Sequence, residues 1–484
     1  MSFSEIYNDS CNFVSDKAFS GELIDITEPA TRSRLGSFAA VTINELDGLI
    51  ETTKAAQEGW ANTDFDARAK VIRRFAALLE ENASLINTWN TRECGSIEGK
   101  AQWELQACID QAYMCAALPM TPYGDIYPSN IPGRENHCIR VPVGLVGVIS
   151  PWNFPLLLSL RAVLPALAMG NSVIVKPDIN SAVVGGYLIV ELLKQAGLPE
   201  GICTLAPGGV TVGQRLVEHP QVDMIAFTGS TAAGRQIGQV CGGMFKKVAL
   251  ELGGNNAFVV LDDANIEGAS SCAAWGSFLH QGQICMQAGR HIVHESVADA
   301  YVEALCARAE NLAVGNPYKE QVHLGPVINA RQADRVMGLI ADSVAMGARV
   351  VCGGKREGAF IYPTVITQVT PDMPIFKEEI FGPVAPVVTF TTDDEAVALA
   401  NNTQYGLAAS IQGADISRAK RIANRIDAGM VHINDQTVNN EYQVPFGGMK
   451  SSGNSGRFGG PANLEEFTER KWISIRDEAL IYPF

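Results

Sequence analysis

The sequence predicts an α/β protein built from two doubly wound, mostly parallel sheets. The chain has 484 residues, more than one simple core usually holds, so two or three domains are expected. From Arg140 onward, short runs rich in β-branched residues alternate with helical runs, which is typical of parallel sheets covered by helices. Polar and glycine-rich segments follow several of these runs, and such sheets bind ligands at the carboxyl ends of their strands.

Two helices are predicted ahead of the first sheet. Thr42 and Glu45 match the S/T-x-x-E capping box, and an amphipathic run follows them as far as Trp60. A second helix is predicted over residues 66–89, where apolar side chains recur at helical spacing.

The strands of the two sheets are predicted from short apolar runs bounded by turn signals. In the first sheet they are VGLVGVIS (143–150), SVIVK (172–176), ICTLA (202–206), MIAFT (224–228) and KVALEL (247–252), with a helix over residues 181–196. In the second sheet they are AFVVL (257–261), HIVH (291–294), ARVV (348–351), VVTF (387–390), LAASI (407–411) and MVHI (430–433). The C-terminal segment WISIRDEALIYPF is also strand-like and is a candidate docking arm.

Composition and charge exclude several classes of protein. Lys and Arg number 37 against 52 Asp and Glu, and a net charge of −15 repels phosphate backbones, so no nucleic-acid partner is expected. The eleven cysteines include no CxxC pair and no Cys/His cluster at zinc spacing, which disfavours disulfides and metal and fits a reducing cytoplasm. The N-terminus lacks a signal-peptide pattern, and prolines interrupt the longest uncharged stretch, Val141–Leu160, so no membrane span is expected.

Seven segments carry residue types that catalysis and ligand binding require. In chain order they are ISPWNFP with Asn153, VKPDIN with Lys176, FTGSTAAG with Gly229 and Gly234, ELGGNN with Glu251, HQGQICMQAGR with Cys285, KEEIFGPV with Glu379 and Phe381, and PFGGMKSSG with Phe446. Each has an ordinary structural explanation when taken alone, such as a capped turn, a solvated lysine or a small buried thiol.

Three of these segments indicate a definite chemistry. The helix start after Gly229 suits a pyrophosphate, because free backbone N–H groups attract anions there, although the glycine spacing differs from the GxGxxG fingerprint. Desolvation at the end of an apolar strand would raise the pKa of Glu251 toward the range of a general base. A nucleophilic role for Cys285 requires access to the thiol and a lowered pKa.

In this order the seven segments resemble those of the aldehyde dehydrogenase superfamily along essentially the whole chain. The 34-residue separation of Glu251 and Cys285 also fits that family's spacing. The resemblance implies that the Cys285 thiolate attacks an aldehyde to form a thiohemiacetal, while the Asn153 amide and the Cys285 N–H hold the oxyanion. It further implies hydride transfer to a nicotinamide coenzyme, and hydrolysis of the resulting thioester by water that Glu251 activates.

The implied coenzyme is NAD, with NADP left open. Its contacts would come from Ile149, Pro151, Trp152, Lys176, Gly229, Ser230, Gly234, Leu252, Glu379 and Phe381. Ile179 stands where the family usually has the glutamate that binds the adenosine ribose, although Asp178 beside it could repel a 2′-phosphate. Phe458 stands where many hydrolytic members have a glutamate, so a second proton-relay carboxylate is expected to be missing.

Within the superfamily, KPDINSAVVGG, HQGQICMQAGRH, HINDQ, GRFGGPA and the terminal YPF look most like the bacterial enzymes that oxidise benzaldehyde and related aromatic aldehydes. Apolar walls suit an aryl ring, and the candidate pocket residues are Phe154, Leu158, Arg161, Ile284, Met286 and Phe446. Arg161 is either a salt-bridged structural residue or a polar feature of the substrate tunnel. The segment 435–444, which would form part of that tunnel, is unusual for the family.

Three alternatives to an aromatic aldehyde dehydrogenase remain open at this point. They are an enzyme for aliphatic or other aldehydes, a CoA-acylating dehydrogenase, and a catalytically silent binding protein on the same fold. The retained Glu251 argues against the CoA-acylating alternative, which needs no water-activating base. The joint presence of Cys285, Glu251 and Asn153 argues against the silent one.

The resemblance also implies a division of the chain. Residues 1–122 and 142–252 would form a Rossmann-like coenzyme domain, residues 253–460 a catalytic domain, and residues 123–141 and 461–484 a small β oligomerisation element. The family is usually oligomeric, so a homodimer or homotetramer is expected.

Overall fold

Strands and helices alternate along most of the chain in the computed structural model, which describes residues 13–15, 19–454 and 456–484. In chain order the strands are β1 Phe13–Ser15, β2 Leu23–Thr27, β3 Arg34–Ala39, β4 Gly124–Tyr127, β5 Glu135–Pro142, β6 Leu145–Ile149, β7 Ser172–Lys176, β8 Cys203–Leu205, β9 Met224–Thr228, β10 Lys247–Glu251, β11 Asn256–Val260, β12 Ala288–His294, β13 Arg349–Cys352, β14 Arg356–Glu357, β15 Phe360–Ile361, β16 Thr364–Thr367, β17 Val384–Phe390, β18 Ala408–Gln412, β19 Met430–Ile433 and β20 Thr468–Ile475. The α-helices are α1 Ile43–Ala61, α2 Phe65–Glu81, α3 Ala83–Cys94, α4 Glu98–Ala117, α5 Pro155–Ala168, α6 Leu188–Gln195, α7 Val210–Glu218, α8 Thr231–Gly243, α9 Ile266–Phe278, α10 Ala298–Glu310, α11 Ala330–Ala345, α12 Pro374–Lys377, α13 Asp393–Asn401, α14 Ile416–Ala423 and α15 Ala462–Glu466.

The first large sheet has five parallel strands in the order β10-β9-β6-β7-β8. The chain runs outward from β6 through β7 to β8, and returns to the other side of β6 for β9 and β10. The order therefore reverses beside β6, and doubly wound sheets bind ligands in the crevice at such a reversal. Asn153, Lys176, Gly229 and Glu251 all end or follow strands at this edge.

The second large sheet has seven strands in the order β13-β16-β17-β12-β11-β18-β19. Its strands are parallel except where β13 pairs with β16. The predicted pair of doubly wound, mostly parallel sheets is therefore confirmed. Only residues 252–255 separate β10 from β11, so the two sheets are joined directly beside Glu251.

A smaller antiparallel sheet has the order β20-β5-β4. Its strands β5 and β20 pair along their whole lengths. The strand-like segment predicted over residues 472–484 is a strand only as far as Ile475, and β20 begins earlier, at Thr468. Ile126 and Trp472, on β4 and β20, are 76% and 67% exposed. The remaining sheets are the three-stranded β1-β3-β2 and the hairpin of β14 with β15.

The capping box predicted for the first helix is present, but the second predicted helix is broken. The Thr42 side chain accepts from the Glu45 N–H, and the Glu45 carboxylate accepts from the Thr42 N–H at 2.8 Å. The single helix predicted over residues 66–89 is wrong, because α2 and α3 meet at Asn82, which has φ −107° and ψ 18°. The Asn82 side chain donates to the Leu78 carbonyl at 2.8 Å and competes there with the helical hydrogen bond.

Two further helical segments differ from the sequence prediction. Helix α4 is not predicted, because Lys100, Glu104 and Gln111 lie on its buried face and interrupt the apolar repeat. The helix predicted over residues 181–196 is a π-helical turn, Val183–Tyr187, followed by α6.

Several features bear on class and location. Within the described ranges, every helix is too short or too polar to cross a membrane. The same ranges hold no group of three or more His, Cys, Asp or Glu side chains arranged to bind a metal. The ten cysteines found there are free thiols, and Cys11 lies outside the described residues.

We expect Thr42→Ala to lower the free energy of unfolding by about 1 kcal/mol, because it removes the side-chain acceptor of the first helix. Urea denaturation followed by circular dichroism measures this loss. Thr42→Ser keeps the hydroxyl and is the control, so equal stability of the two variants would contradict the capping role.

Candidate active site

Cys285 lies in a loop that a tight turn and an asparagine hold in place. After helix α9, His280 and Gln281 take left-handed backbone conformations, with φ of 49° and 57°. Such conformations are strained in residues other than glycine and concentrate at functional sites. The Asn256 amide donates to the carbonyl groups of Cys285 at 2.8 Å and Gln287 at 2.7 Å. The half-buried thiol is therefore held at a fixed point.

The segment after Glu251 brings two others against this loop. A side chain at Gly254 would place its Cβ 2.3 Å from the Cys285 carbonyl oxygen, so nothing larger than glycine fits there. The Gly254 N–H also donates to a Glu379 carboxylate oxygen at 2.9 Å. Burial raises the pKa of Glu379 to about 7, and this hydrogen bond opposes the shift. ELGGNN, HQGQICMQAGR and KEEIFGPV therefore meet at one point.

Glu251 ends β10 and carries its carboxylate into the protein. The residue is only 3% exposed, and neither carboxylate oxygen has a hydrogen-bond partner among the described residues. An added Cβ at Gly447 would lie 2.6 Å from its Oε1, so the carboxylate rests against that backbone. Burial raises the pKa of Glu251 well above its usual range, and the charges of Arg161 and Arg457 oppose the shift. Such a carboxylate can accept a proton near neutral pH, as a general base must.

Asn153 is buried in the loop between β6 and α5. One N–H of its side-chain amide donates to the Gln283 carbonyl at 2.9 Å, which directs the amide at the Cys285 loop. An amide nitrogen carries two N–H groups, so the second is left for a ligand. In the part of the chain that is described, the Cys285 N–H also has no protein acceptor. Two such donors are what an oxyanion requires.

The Cys285 thiol is protonated at rest. Burial raises its pKa to about 12, and the negative charges of Glu379 and Glu251 add to the shift. The Arg161 guanidinium and the Met286 N–H oppose it. The lowered pKa that a nucleophilic thiol requires is therefore not present in this state, because desolvation of the thiol outweighs the nearby cation.

Arg161 is a buried cation that faces the same site. Its guanidinium donates to the Asn440 side-chain oxygen at 2.6 Å and lies 4.1 Å from the centroid of the Phe446 ring. Burial lowers the pKa of Arg161, and the charges of Glu251 and Cys285 oppose this. Its contacts are an amide and an aromatic face, and among the described residues it forms no salt bridge.

The segment after β9 forms a capped helix start suited to an anion. Ser230 caps α8 through its side chain, and the Gly229 N–H donates to the Glu251 carbonyl at 3.0 Å. At Gly234 an added Cβ would lie 2.3 Å from a Leu252 side-chain carbon, so a larger residue would displace the Leu252 side chain. This close packing brings the helix start beside the end of β10.

Aromatic rings and a lysine lie at the same edge of the sheet. Lys176 ends β7 and is 8% exposed, and burial lowers the pKa of its ammonium. The Trp152 and Phe381 rings meet edge to face with centroids 5.5 Å apart. Ile149 is the last residue of β6, and Pro151 follows in the loop that carries Trp152. Ile149, Lys176 and Glu251 thus end strands of the first large sheet, and Pro151 and Trp152 follow the first of them in the loop.

Five of the six candidate pocket residues lie in one buried apolar cluster, on which Cys285 packs, and Arg161 is the exception. Leu158, Ile284, Met286 and Phe446 belong to this cluster, and the Phe446 ring also contacts the Arg161 guanidinium. Phe154 belongs to the same cluster, but its ring faces polar groups. The Lys100 ammonium lies 4.3 Å from its centroid, and the His280 ring is 5.6 Å away.

Phe458 is buried where the family resemblance places a relay carboxylate. It exchanges two backbone hydrogen bonds with Phe446, and its ring lies 6.0 Å from that of Phe467. An apolar side chain there cannot pass a proton. The negative charge of Glu466 reaches Glu251, and burial raises the pKa of Glu466 itself.

Several site residues escape sequence reasoning. Asn256 lies in the ELGGNN segment, but no sequence pattern shows that its amide holds the Cys285 loop. Gln283 acts through its backbone carbonyl, which leaves no trace in the sequence. Lys100 and Glu104 are visible in the sequence only as opposite charges at i, i+4 spacing. Such a spacing usually indicates an exposed helix face, whereas this pair is buried.

Comparison with known proteins settles the family. A model of the aldehyde dehydrogenase family matches residues 13–473. The chain belongs to the aldehyde dehydrogenase family. A benzaldehyde dehydrogenase (NAD+) of Pseudomonas putida is 50% identical over 464 residues, which cover 96% of this chain and 95% of that protein. A vanillin dehydrogenase of Amycolatopsis is 49% identical over 460 residues, which cover 95% and 94%.

Solved structures share the fold over nearly the whole chain. The betaine aldehyde dehydrogenase of Staphylococcus aureus in complex with NAD+ aligns with a TM-score of 0.94 at 31% identity, covering 100% of this chain and 99% of that one. An NADP-dependent enzyme of Escherichia coli aligns with a TM-score of 0.92 at 33% identity, covering 96% and 97%.

We expect alkylation of Cys285 by iodoacetamide to accelerate about tenfold per pH unit from pH 7 through pH 10, because only the thiolate reacts. An ordinary thiol would level off near pH 8.5. Peptide mass mapping of the enzyme without coenzyme follows Cys285 separately from the other thiols. A plateau below pH 9 would contradict the raised pKa.

Proposed function

We propose that the protein oxidises an aromatic aldehyde, such as benzaldehyde, to its carboxylic acid, with NAD as the hydride acceptor. The observation that carries this proposal is the convergence of a thiol, a buried carboxylate and two free N–H donors at one point. Cys285, Glu251 and Asn153 supply the nucleophile, base and oxyanion donor that acyl transfer through a thiol requires. The names of the relatives at 50% and 49% identity support an aromatic substrate.

In the first half-reaction, the Cys285 sulfur attacks the aldehyde carbon and forms a C–S bond. The thiol gives up its proton to water before or during attack, because burial raises its pKa to about 12 and only the thiolate is nucleophilic. The oxygen that gains the electron pair lies between the Asn153 amide and the Cys285 N–H. Removing one such donor typically costs about 10²–10³ in rate.

The coenzyme fits the residues at the crevice. Ser230 and Gly234 shape the helix start that suits a pyrophosphate, and Lys176 provides a buried cation near it. Trp152 and Phe381 form the walls against which a nicotinamide would lie, with Ile149, Pro151, Gly229, Leu252 and Glu379 completing the contacts. The chemistry that a bound nicotinamide coenzyme supplies is acceptance of the hydride that the thiohemiacetal carbon loses.

In the second half-reaction, Glu251 takes a proton from water, and the hydroxyl oxygen attacks the thioester carbon. The C–S bond then breaks, the acid leaves, and the sulfur regains a proton from Glu251. Buried Phe458 provides no second relay, so Glu251 exchanges protons with water and with the sulfur, and the negative charge of Glu466 raises its pKa.

The preference for NAD rests on charge near the adenosine site. Ile179 provides no carboxylate for the ribose, whereas the Asp178 carboxylate is fixed by the Asn180 N–H at 2.9 Å and its side chain at 2.7 Å. A carboxylate held there repels a 2′-phosphate. The relative from Pseudomonas putida, whose name specifies NAD+, points the same way.

The proposed substrate pocket is lined by the apolar cluster beside Cys285 together with Arg161. The Arg161 guanidinium stacks on Phe446 and is anchored by Asn440, so it presents a flat cationic edge to an aryl ring. An apolar pocket with one placed polar group is typical of small-molecule sites.

The proposed assembly is a homodimer or homotetramer in the cytoplasm. The exposed apolar side chains of Ile126 and Trp472 on the β20-β5-β4 sheet support an interface there. We propose that residues 123–141 and 461–484 form this element, that residues 1–122 and 142–252 hold the coenzyme, and that residues 253–460 carry the nucleophile.

We expect kcat/KM for benzaldehyde to exceed that for hexanal about 10- to 100-fold, because an aryl ring fills the apolar pocket more completely. NADH formation measured with a panel of aldehydes, with NAD or NADP, tests this. Benzoate should be the product whether or not CoA is present. Preference for hexanal would overturn the aromatic substrate, and benzoyl-CoA would overturn hydrolysis.

We expect Glu251→Gln to release a burst of about one NADH per site and then turn over at least about 10²-fold more slowly, because the base for hydrolysis is lost. Rapid-mixing measurements of NADH follow both phases. Cys285→Ala should abolish the burst, while Cys272→Ala, which removes a half-buried thiol on helix α9, should behave like the parent. Parent-like steady turnover of Glu251→Gln would rule out its role as the base.

A further inference from the structure

A buried ion pair lies beneath the loop that carries Asn153. Lys100 and Glu104, one turn apart on helix α4, have side chains 1% and 0% exposed, and Nζ lies 2.6 Å from Oε2. Removing two charges from water is costly, and an apolar pair of the same size is often the more stable choice. The retention of charge at this position therefore calls for a use beyond stability.

The pair binds the backbone on both sides of the helix start that follows Asn153. The Lys100 ammonium donates to the Asn153 carbonyl at 2.9 Å. The Glu104 carboxylate accepts from the N–H groups of Leu156 at 3.0 Å and Leu157 at 3.1 Å. Helix α5 has no side-chain cap of its own, so Glu104 supplies from another helix the acceptor that the first turn lacks.

The rest of the network is closed and buried. The Asn90 amide donates to Glu104 at 2.7 Å, and its oxygen accepts from the Ser96 hydroxyl at 2.6 Å and from Lys100 at 3.4 Å. The Lys100 ammonium also lies over the Phe154 ring. Every member is held by others, so the Lys100 nitrogen has little freedom to move.

Both the backbone carbonyl and the side-chain amide of Asn153 are therefore held by hydrogen bonds. The ion pair fixes its backbone carbonyl, and Gln283, two residues before Cys285, fixes its side-chain amide. An oxyanion donor must lie about 2.7–3.1 Å from the developing charge, and a misplacement of about 1 Å can cost 10²-fold in rate.

We infer that Lys100 and Glu104 are positioning residues for the oxyanion site, holding the Asn153 amide in line with the carbonyl oxygen of a substrate bound to Cys285. They contact neither substrate nor coenzyme. This inference rests on the proposed function, in which Asn153 is an oxyanion donor.

The test compares acylation rates in variants of the full-length enzyme. Lys100→Met removes the donor to the Asn153 carbonyl, and its combination with Glu104→Gln removes both charges, so that no charge stays buried alone. Arg68→Met is the matched control. Arg68 is also a buried cation, 3% exposed, and it donates to the Ala168 carbonyl at 3.1 Å, at the opposite end of α5.

We expect the rate of the NADH burst with benzaldehyde, per alkylatable Cys285, to fall about 10- to 100-fold in both Lys100 variants, with KM changed less than about threefold. Arg68→Met should lower thermal stability yet keep the burst rate within about twofold of the parent. Alkylation of Cys285 by iodoacetamide forms no oxyanion, so its rate should stay unchanged in all three variants.

A double-mutant cycle with Asn153→Ala separates the two ways of failing. If Asn153→Ala slows the burst and Lys100→Met adds nothing in that background, the inference holds. The inference is overturned, and the proposed function stands, if Asn153→Ala slows the burst but the Lys100 variants alone match the parent. The same conclusion follows if Lys100→Met slows the burst of the Asn153→Ala variant by as much as it slows that of the parent. If Asn153→Ala leaves the burst unchanged, the oxyanion role fails and the inference falls with it. Should Lys100→Met not fold, the charge-free double variant is judged by the same outcomes.

Discussion

The four residues between β10 and β11 constrain the whole site, because they connect the two large sheets directly. Glu251 is the last residue of one sheet, and Asn256, the first strand residue of the other, holds the Cys285 loop. Between them, Gly254 lies against the Cys285 carbonyl, where no side chain fits. A shift of one sheet against the other would therefore change the distance between the base and the nucleophile. The short backbone link between the two sheets limits such a shift.

The close approach that aligns these groups also removes water from them. The rise in the Cys285 pKa from 9.0 to about 12 corresponds to about 4 kcal/mol, at roughly 1.4 kcal/mol per unit. An oxyanion donor contributes about 2.7–4 kcal/mol in a desolvated site. One well-placed amide thus stabilises the oxyanion by an amount of the same order as the cost of forming the thiolate. Because desolvation raises the cost of forming the thiolate, the reaction depends on a correctly positioned Asn153 amide.

The sequence was sufficient for features that depend on local pattern. Strand ends and the seven motifs could be located because each is a short run with its own signal, and parallel strands bring their ends to one edge. The break at Asn82, the helix α4 and the clamp by Asn256 could not be located in this way. Each depends on which partner a polar group finds in the folded chain, and the state of the Cys285 thiol depends on burial that no motif records.

Helix α4 buries two charged side chains at positions where apolar side chains would cost less folding stability. An apolar side chain can fill the space beneath a loop, but it contacts a backbone carbonyl from any direction with similar energy. The Lys100 ammonium instead binds the Asn153 oxygen along a defined line, and Glu104 does the same for the first turn of α5. Buried charges lose strength steeply when displaced, since the low dielectric magnifies each contact. Burying this pair therefore costs stability but fixes the orientation of the Asn153 backbone. A donor to a transient oxyanion requires such a fixed orientation.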